Sequence, residues 1–173
     1  MISPFAIFDL PVAFDVDQVV LSERYLALQK SLHPDNFVTA DAQEQRIAMQ
    51  KSTEVNDALK TLKDPILRAE AIIALNTGKT QDLEQKSTQD VTFLMQQLEW
   101  REELENIEQS QDENALESFA KRVKKETKEM LTALEAQLNE QQWPTAAQFC
   151  DKLRFLKKLA DEISQVEERL FEL

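Results

Sequence analysis

A single glycine, Gly78, stands in a chain of 173 residues. Ala, Leu, Glu, Gln and Lys dominate instead, side chains that lose little rotamer freedom on a helix, and glycine's backbone-entropy penalty is avoided almost everywhere. The composition therefore predicts an all-α protein. It also removes two common catalytic devices, because neither a Gly-rich phosphate loop nor a G-x-S-x-G elbow can be found in the sequence.

The length suits one good-sized domain or two small ones. Hydrophobic residues make up 42% and charged residues 30%, the balance of a folded rather than a disordered chain. A net charge of −12 argues against nucleic acid, whose binders neutralise phosphates, and against anionic membranes. No segment approaches the ~20 apolar residues that span a bilayer. Residues 1–14 lack the basic start of a signal peptide and the Arg-rich character of a transit peptide. One cysteine, Cys150, excludes an internal disulfide and fits a reducing compartment, so the expected location is cytoplasmic. Cys150 falls beside the expected core stripe with no histidine near it, which reads as an incidental thiol.

Periodicity divides the chain. Asp15-Val16-Asp17-Gln18 has the form of a capping box, with Asp15 as the cap, opening a helix with Leu21, Tyr25, Leu28 and Leu32 on one face. His33-Pro34 ends it, since a residue before proline is pushed out of the helical region. After a short loop, Asp35 to about Ala40, a second helix carries Ala48, Ser52, Val55, Leu59 and Leu62. A short link between two such helices predicts an antiparallel pair. The apolar segment Pro4–Leu10 is expected to cap that pair's core. Asp64-Pro65 restarts the chain as N-cap and first helical residue, and Ile66, Ala69, Ile72 and Ile73 follow as far as Leu75. Asn76-Thr77-Gly78 looks like a helix stop. The expected division is a first domain over 1–76, a polar linker over 77–89 and a second domain over 90–173.

The second domain reads as three helices, roughly 90–109, 112–140 and 145–171, hence a three-helix bundle. Expected core stripes are Leu116, Phe119, Val123, Met130, Leu134 and Leu138, then Phe149, Leu153, Leu156, Ala160, Ile163 and Leu170. On the first of these helices, at ~100° per residue, Phe93, Trp100, Leu104 and Ile107 share one stripe. Val91, Leu94, Met95 and Leu98 gather on roughly the opposite side, with Glu99, Arg101 and Glu102 among or beside them. Phe155 on the last helix also lies away from its core stripe. An apolar patch with a charged rim is a signature of a partner site. The alternatives stay open at this point: a docking surface, or residues that pack on the first domain or broaden the core.

The only histidine, His33, opens the string His33-Pro34-Asp35 between two amphipathic helices. A metal site or a general acid or base would normally recruit more than one histidine and one cysteine, the Glu and Asp residues show no metal spacing, and nothing pairs a nucleophile with a base. A turn explains Pro34 and Asp35 but does not require histidine before the proline, so the string reads as a rigid recognition feature. Lys121-Arg122-Val123-Lys124-Lys125 keeps Val123 in the core stripe, and its cations read as a solvated face.

Taken together, Tyr25-x-x-Leu28-x-x-x-Leu32-His33-Pro34-Asp35-Asn36-Phe37 and Val55-Asn56-x-Ala58-x-x-x-Leu62-x-Asp64-Pro65-x-x-Arg68-Ala69 resemble the J domain of HscB-type co-chaperones of iron–sulfur cluster assembly. The resemblance extends over the full length, through Phe93-Leu94-Met95, Arg101-Glu102-Glu103-Leu104-Glu105 and Leu153-Arg154-Phe155-Leu156. It implies an N-terminal J domain, an antiparallel helix pair carrying the His-Pro-Asp loop, followed by a C-terminal three-helix bundle. It implies no enzymatic activity and no cofactor. Docking on the ATPase domain of a dedicated heat-shock-type chaperone, HscA, then falls to Arg24, Lys30, His33, Pro34 and Asp35. Holding the cluster scaffold protein, IscU, falls to Leu94, Met95, Leu98, Glu99, Arg101, Glu102 and Phe155.

Two positions depart from the family pattern: Asn36 stands where a basic residue is usual, and Arg68-Ala69-Glu70-Ala71 lacks an aromatic at its end. With Arg24 and Lys30 set against Glu23, the docking helix has a thin positive face. Weaker, more salt-sensitive docking than in a more basic relative is the expectation. A general J protein serving other clients, and a helical adaptor in which His-Pro-Asp is accidental, are the rival readings.

Overall fold

The structure, a computed structural model, describes residues 3–78 and 90–171, and every regular element among them is helical. The chain divides into two compact units, Met1–Lys79 and Thr80–Leu173. Most of the expected linker, residues 79–89, lies outside the described residues.

The first unit is built around a long central helix. Ser3 caps α1 (Pro4–Ile7), accepting from the Phe5 amide at 3.1 Å, and Asp9 then reverses the chain at φ 52°. Phe5 and Phe8 are buried to within 1% of complete, and α1 packs on α3 (Ala42–Lys63), as expected of a cap. The chain stays extended while Phe14 and Val16 enter the core, and only then starts α2 (Gln18–Ser31). The cap is therefore Asp17, not Asp15: its carboxylate accepts from Val19 N at 3.0 Å and Val20 N at 3.2 Å. Asp15 lies two residues too early, because the helix starts only at Gln18.

Leu21 is fully buried on α2, while Tyr25, Leu28 and Leu32 are half-buried at its junction with α3. The Tyr25 hydroxyl and the Gln29 amide both donate to Asn56 Oδ1 at 2.8 Å, pinning α2 to α3. Asp41 caps α3, which buries Ala48, Val55, Ala58 and Leu62. Asp64 caps α4 (Pro65–Thr77) with Pro65 at its first turn, and Ile66, Ala69, Ile72 and Ile73 are buried as the pattern requires. The helix runs two residues beyond Leu75, because Gly78 closes it in the left-handed region at φ 71°, donating to Ala74 O at 2.8 Å.

The second unit is a three-helix bundle of α5 (Val91–Ser110), α6 (Glu113–Asn139) and α7 (Trp143–Phe171), with each helix in contact with the other two. Asp90 and Asp112 cap the first two, and Gln111 at φ 55° ends α5. On α6 the stripe Leu116, Phe119, Val123, Leu134 and Leu138 is buried and Met130 half-buried.

On α7 the expected stripe needs correction. Leu153, Leu156 and Ile163 are buried, but Ala160 is exposed and Phe149 and Leu170 only half-buried. Ala146, Ala147, Cys150, Phe155, Leu159 and Val166 complete the buried set instead. A helix wedged against two partners buries an arc wider than one stripe, and α7 touches both α5 and α6. Cys150, which the pattern set off the stripe, is fully buried and joins the core.

Candidate functional site

The His-Pro-Asp string forms a hydrogen-bonded turn at the end of α2. Pro34 drives His33 into extended backbone (ψ 137°), and Pro34–Phe37 coil into one 3₁₀ turn. The Asp35 amide donates to His33 Nδ1 at 3.2 Å, which ties the ring to the turn and leaves Nε2 outside that bond. The Asp35 carboxylate stands 3.5 Å from the same Nδ1, and the two side chains are 59% and 86% exposed. Two side chains set the turn's shape. Asn36 Nδ2 donates to Lys30 O at 2.7 Å and Ser31 O at 3.2 Å, satisfying carbonyls left over at the end of α2. Gln45 Nε2, from α3, donates to Phe37 O and Ala40 O at 3.0 and 3.2 Å. Asn36 is thus a structural clasp, a role that the neutral amide performs with a short reach.

Of the residues assigned to chaperone docking, Lys30, His33, Pro34 and Asp35 are exposed around this turn. Arg24 is placed differently. Its Nη1 donates to Phe8 O at 2.8 Å and Asp9 O at 2.6 Å, so the guanidinium holds α1 against α2. Its charge remains at the surface, but its donors serve the fold.

On α5, the second face expected from periodicity is open. Val91, Met95 and Leu98 are 66%, 57% and 68% exposed. Leu94 is half-buried, and Glu99 and Glu102 are exposed beside them. Phe155 does not join this surface. It is 8% exposed and packs edge-on against Phe93 with ring centroids 5.9 Å apart, and at 6.5 Å from Trp100. Arg101 lies over its ring at 5.5 Å, and its Nη1 donates to both carboxylate oxygens of Glu162 at 2.9 Å. The expectation of an exposed Phe155 is corrected: α7 contacts α5 as well as α6, and the ring fills that second seam. Arg101, half-buried, closes the seam from outside. Arg122 makes a comparable clasp to Glu103 at 2.6 Å, over Trp100 and Phe119.

Among the described residues, no group of three or more His, Cys, Asp or Glu could hold a metal ion. No helix there is long and apolar enough to cross a membrane. Sequence reasoning missed Asn36, Gln45 and Arg24 as shape-setting residues. Asn36 was signalled only as a departure from pattern, and the carbonyl partners of Arg24 lie 15 and 16 residues upstream.

An exposed His-Pro-Asp turn joining two helices, followed by a separate helical bundle, defines a J-domain co-chaperone with a C-terminal helical domain. Comparison with known proteins agrees. Residues 89–164 match the family model described as the HSCB C-terminal oligomerisation domain. The chain is 69% identical over 173 residues to the co-chaperone protein HscB homolog of Haemophilus influenzae, covering 100% of this chain and 99% of that one. It is 59% identical to the homolog of Pasteurella multocida, covering 98% and 99%. Among solved structures, chaperone HscB from Vibrio cholerae superposes with a TM-score of 0.88 at 39% identity, covering 98% of this chain and all of that one. Human co-chaperone HscB gives 0.88 at 26% identity, covering 98% and 84%. The chain belongs to the HscB family of co-chaperones.

Proposed function

We propose that this protein has no catalytic chemistry of its own and acts as an adaptor in iron–sulfur protein maturation. Its His33-Pro34-Asp35 turn docks on the ATPase domain of a dedicated heat-shock-type chaperone, HscA, and accelerates ATP hydrolysis. The outer face of α5 carries the cluster scaffold protein, IscU. Holding both raises the effective concentration of client at the chaperone, which needs no new contact between them.

The observation that carries this reading is the turn itself. His33 and Asp35 are exposed, yet the backbone that presents them is locked by Asn36 and Gln45. Rigid, exposed polar groups bind with little ordering entropy. The exposed apolar run Val91, Met95, Leu98 supports the scaffold half, with Leu94 at its edge and Glu99 and Glu102 as its charged rim. Arg101 and Phe155 contribute from behind, by holding α5 to α7.

The test is single-turnover ATP hydrolysis by HscA, with and without this protein and IscU. Stimulation lost in His33→Gln, with IscU binding retained, is the expected result. The triple change of Leu94, Met95 and Leu98 to Ala should do the reverse. Folded variants that each lose both activities overturn the division of labour.

A further inference from the structure

Beside the His-Pro-Asp turn lies an apolar groove of about 350 Å³, and we propose that it receives a short apolar segment of the chaperone that the turn engages. The inference rests on the chaperone reading above and adds a second, chemically different contact to it. Leu32, Pro34, Phe37 and Ala48 form the body of the groove, and Val38 and Met49 are its open members. Val38 is 73% exposed and Met49 is 71% exposed, the most exposed large hydrophobic side chains of the described residues. Nothing in the fold of the first unit is served by leaving them in water.

The lining decides what fits. Its polar members are Gln45 and Ser52. The Gln45 Nε2 group is already spent on Phe37 O and Ala40 O. A ligand rich in hydrogen-bonding groups or charge would lose its hydration for one hydroxyl and one amide oxygen. An aliphatic segment loses nothing, and the volume sits at the low end of small-ligand sites, room for roughly two branched side chains. The walls are fixed in advance, because Asn36 and Gln45 hold the turn to α2 and α3.

Position decides who brings the segment. Pro34 belongs to both the motif and the groove, and Leu32 and Phe37 flank the motif on either side. A partner that covers His33 and Asp35 therefore also covers the groove mouth. Polar contacts at the motif set orientation, while burial of Val38 and Met49 supplies affinity.

The full chain carries methionine at only four positions, and Met49 and Met95 lie on different units, which makes methyl-labelled methionine a direct probe. Adding HscA with ATP should shift the Met49 methyl resonance, and adding IscU should shift that of Met95. In titrations of the stimulated ATPase, Met49→Asp and Val38→Asp should raise the half-saturating concentration about tenfold or more while leaving the saturated rate near wild type. Met49→Leu should restore wild-type affinity. Both positions are exposed, so folding is not at stake. Asp variants that titrate like wild type, against a wild-type protein that stimulates, overturn the groove contact alone. A wild-type protein that stimulates nothing overturns the chaperone reading and the groove with it. A Met49 shift that depends on the protein's own concentration without HscA assigns the groove to a second copy and also overturns the proposal.

Discussion

Truncating Phe155 separates packing from surface recognition in the bundle. At 8% exposure the ring is core, and its removal leaves a void lined by Phe93 and Trp100. Burial of an aromatic side chain and the cavity left behind put Phe→Ala changes at about 3–5 kcal/mol. An edge-to-face contact at 5.9 Å adds about 0.5–1.5 kcal/mol to ordinary area burial, so the upper half of that range applies. For a domain of about 100 residues, 1 kcal/mol moves the midpoint by roughly 4–8 °C, so Phe155→Ala should lower the melting temperature of the bundle by about 15 °C or more. Leu98, 68% exposed on α5, provides the control: Leu98→Ala should change stability by no more than about 0.5 kcal/mol. Calorimetry of the full chain reads both values. A Phe155→Ala melting point within about 3 °C of wild type would refute the burial argument and return the ring to the surface.

Three further outcomes follow from the caps and charges. Asp17→Ala should cost about 1 kcal/mol in chemical denaturation by orphaning Val19 N and Val20 N, while Asp15→Ala, whose residue lies outside the cap, should fall within about 0.5 kcal/mol of wild type. Gly78→Ala meets no atom within 4 Å but must adopt φ 71°, and should destabilise the first unit by about 1 kcal/mol through backbone strain alone. Stimulation of HscA at sub-saturating concentration should fall between about 50 and 300 mM salt, because the exposed charges of Arg24 and Lys30 steer docking and salt screens them; a flat profile removes steering from the account.

The sequence made the helices legible wherever one residue had one physical role. Asp64-Pro65 could only start a helix and Gly78 could only end one, and both do. The exposed face of α5 was legible for the same reason: Val91, Met95 and Leu98 fall opposite Phe93, Leu104 and Ile107 on any helix. Legibility failed where a choice rested on distant chain. Asp15 and Asp17 are equally good caps until the amides of Val19 and Val20 are seen to converge on Asp17. Phe155 looks surplus to a single stripe until α7 is seen to serve two seams, and Arg24 looks like a free docking cation until Phe8 and Asp9 arrive beneath it.

The bonds from Asn36 and Gln45 bear on portability. Three residues, His33-Pro34-Asp35, are easily transplanted, but their presentation is written elsewhere: in an amide one position downstream, in a glutamine on the next helix, and in the carbonyls those two restrain. A graft of the tripeptide between two foreign helices would carry the lettering without the frame. The smallest transferable recognition unit on this chain runs from the last turn of α2 through the first turn of α3, and a designer who moves less than that moves a sequence, not a site.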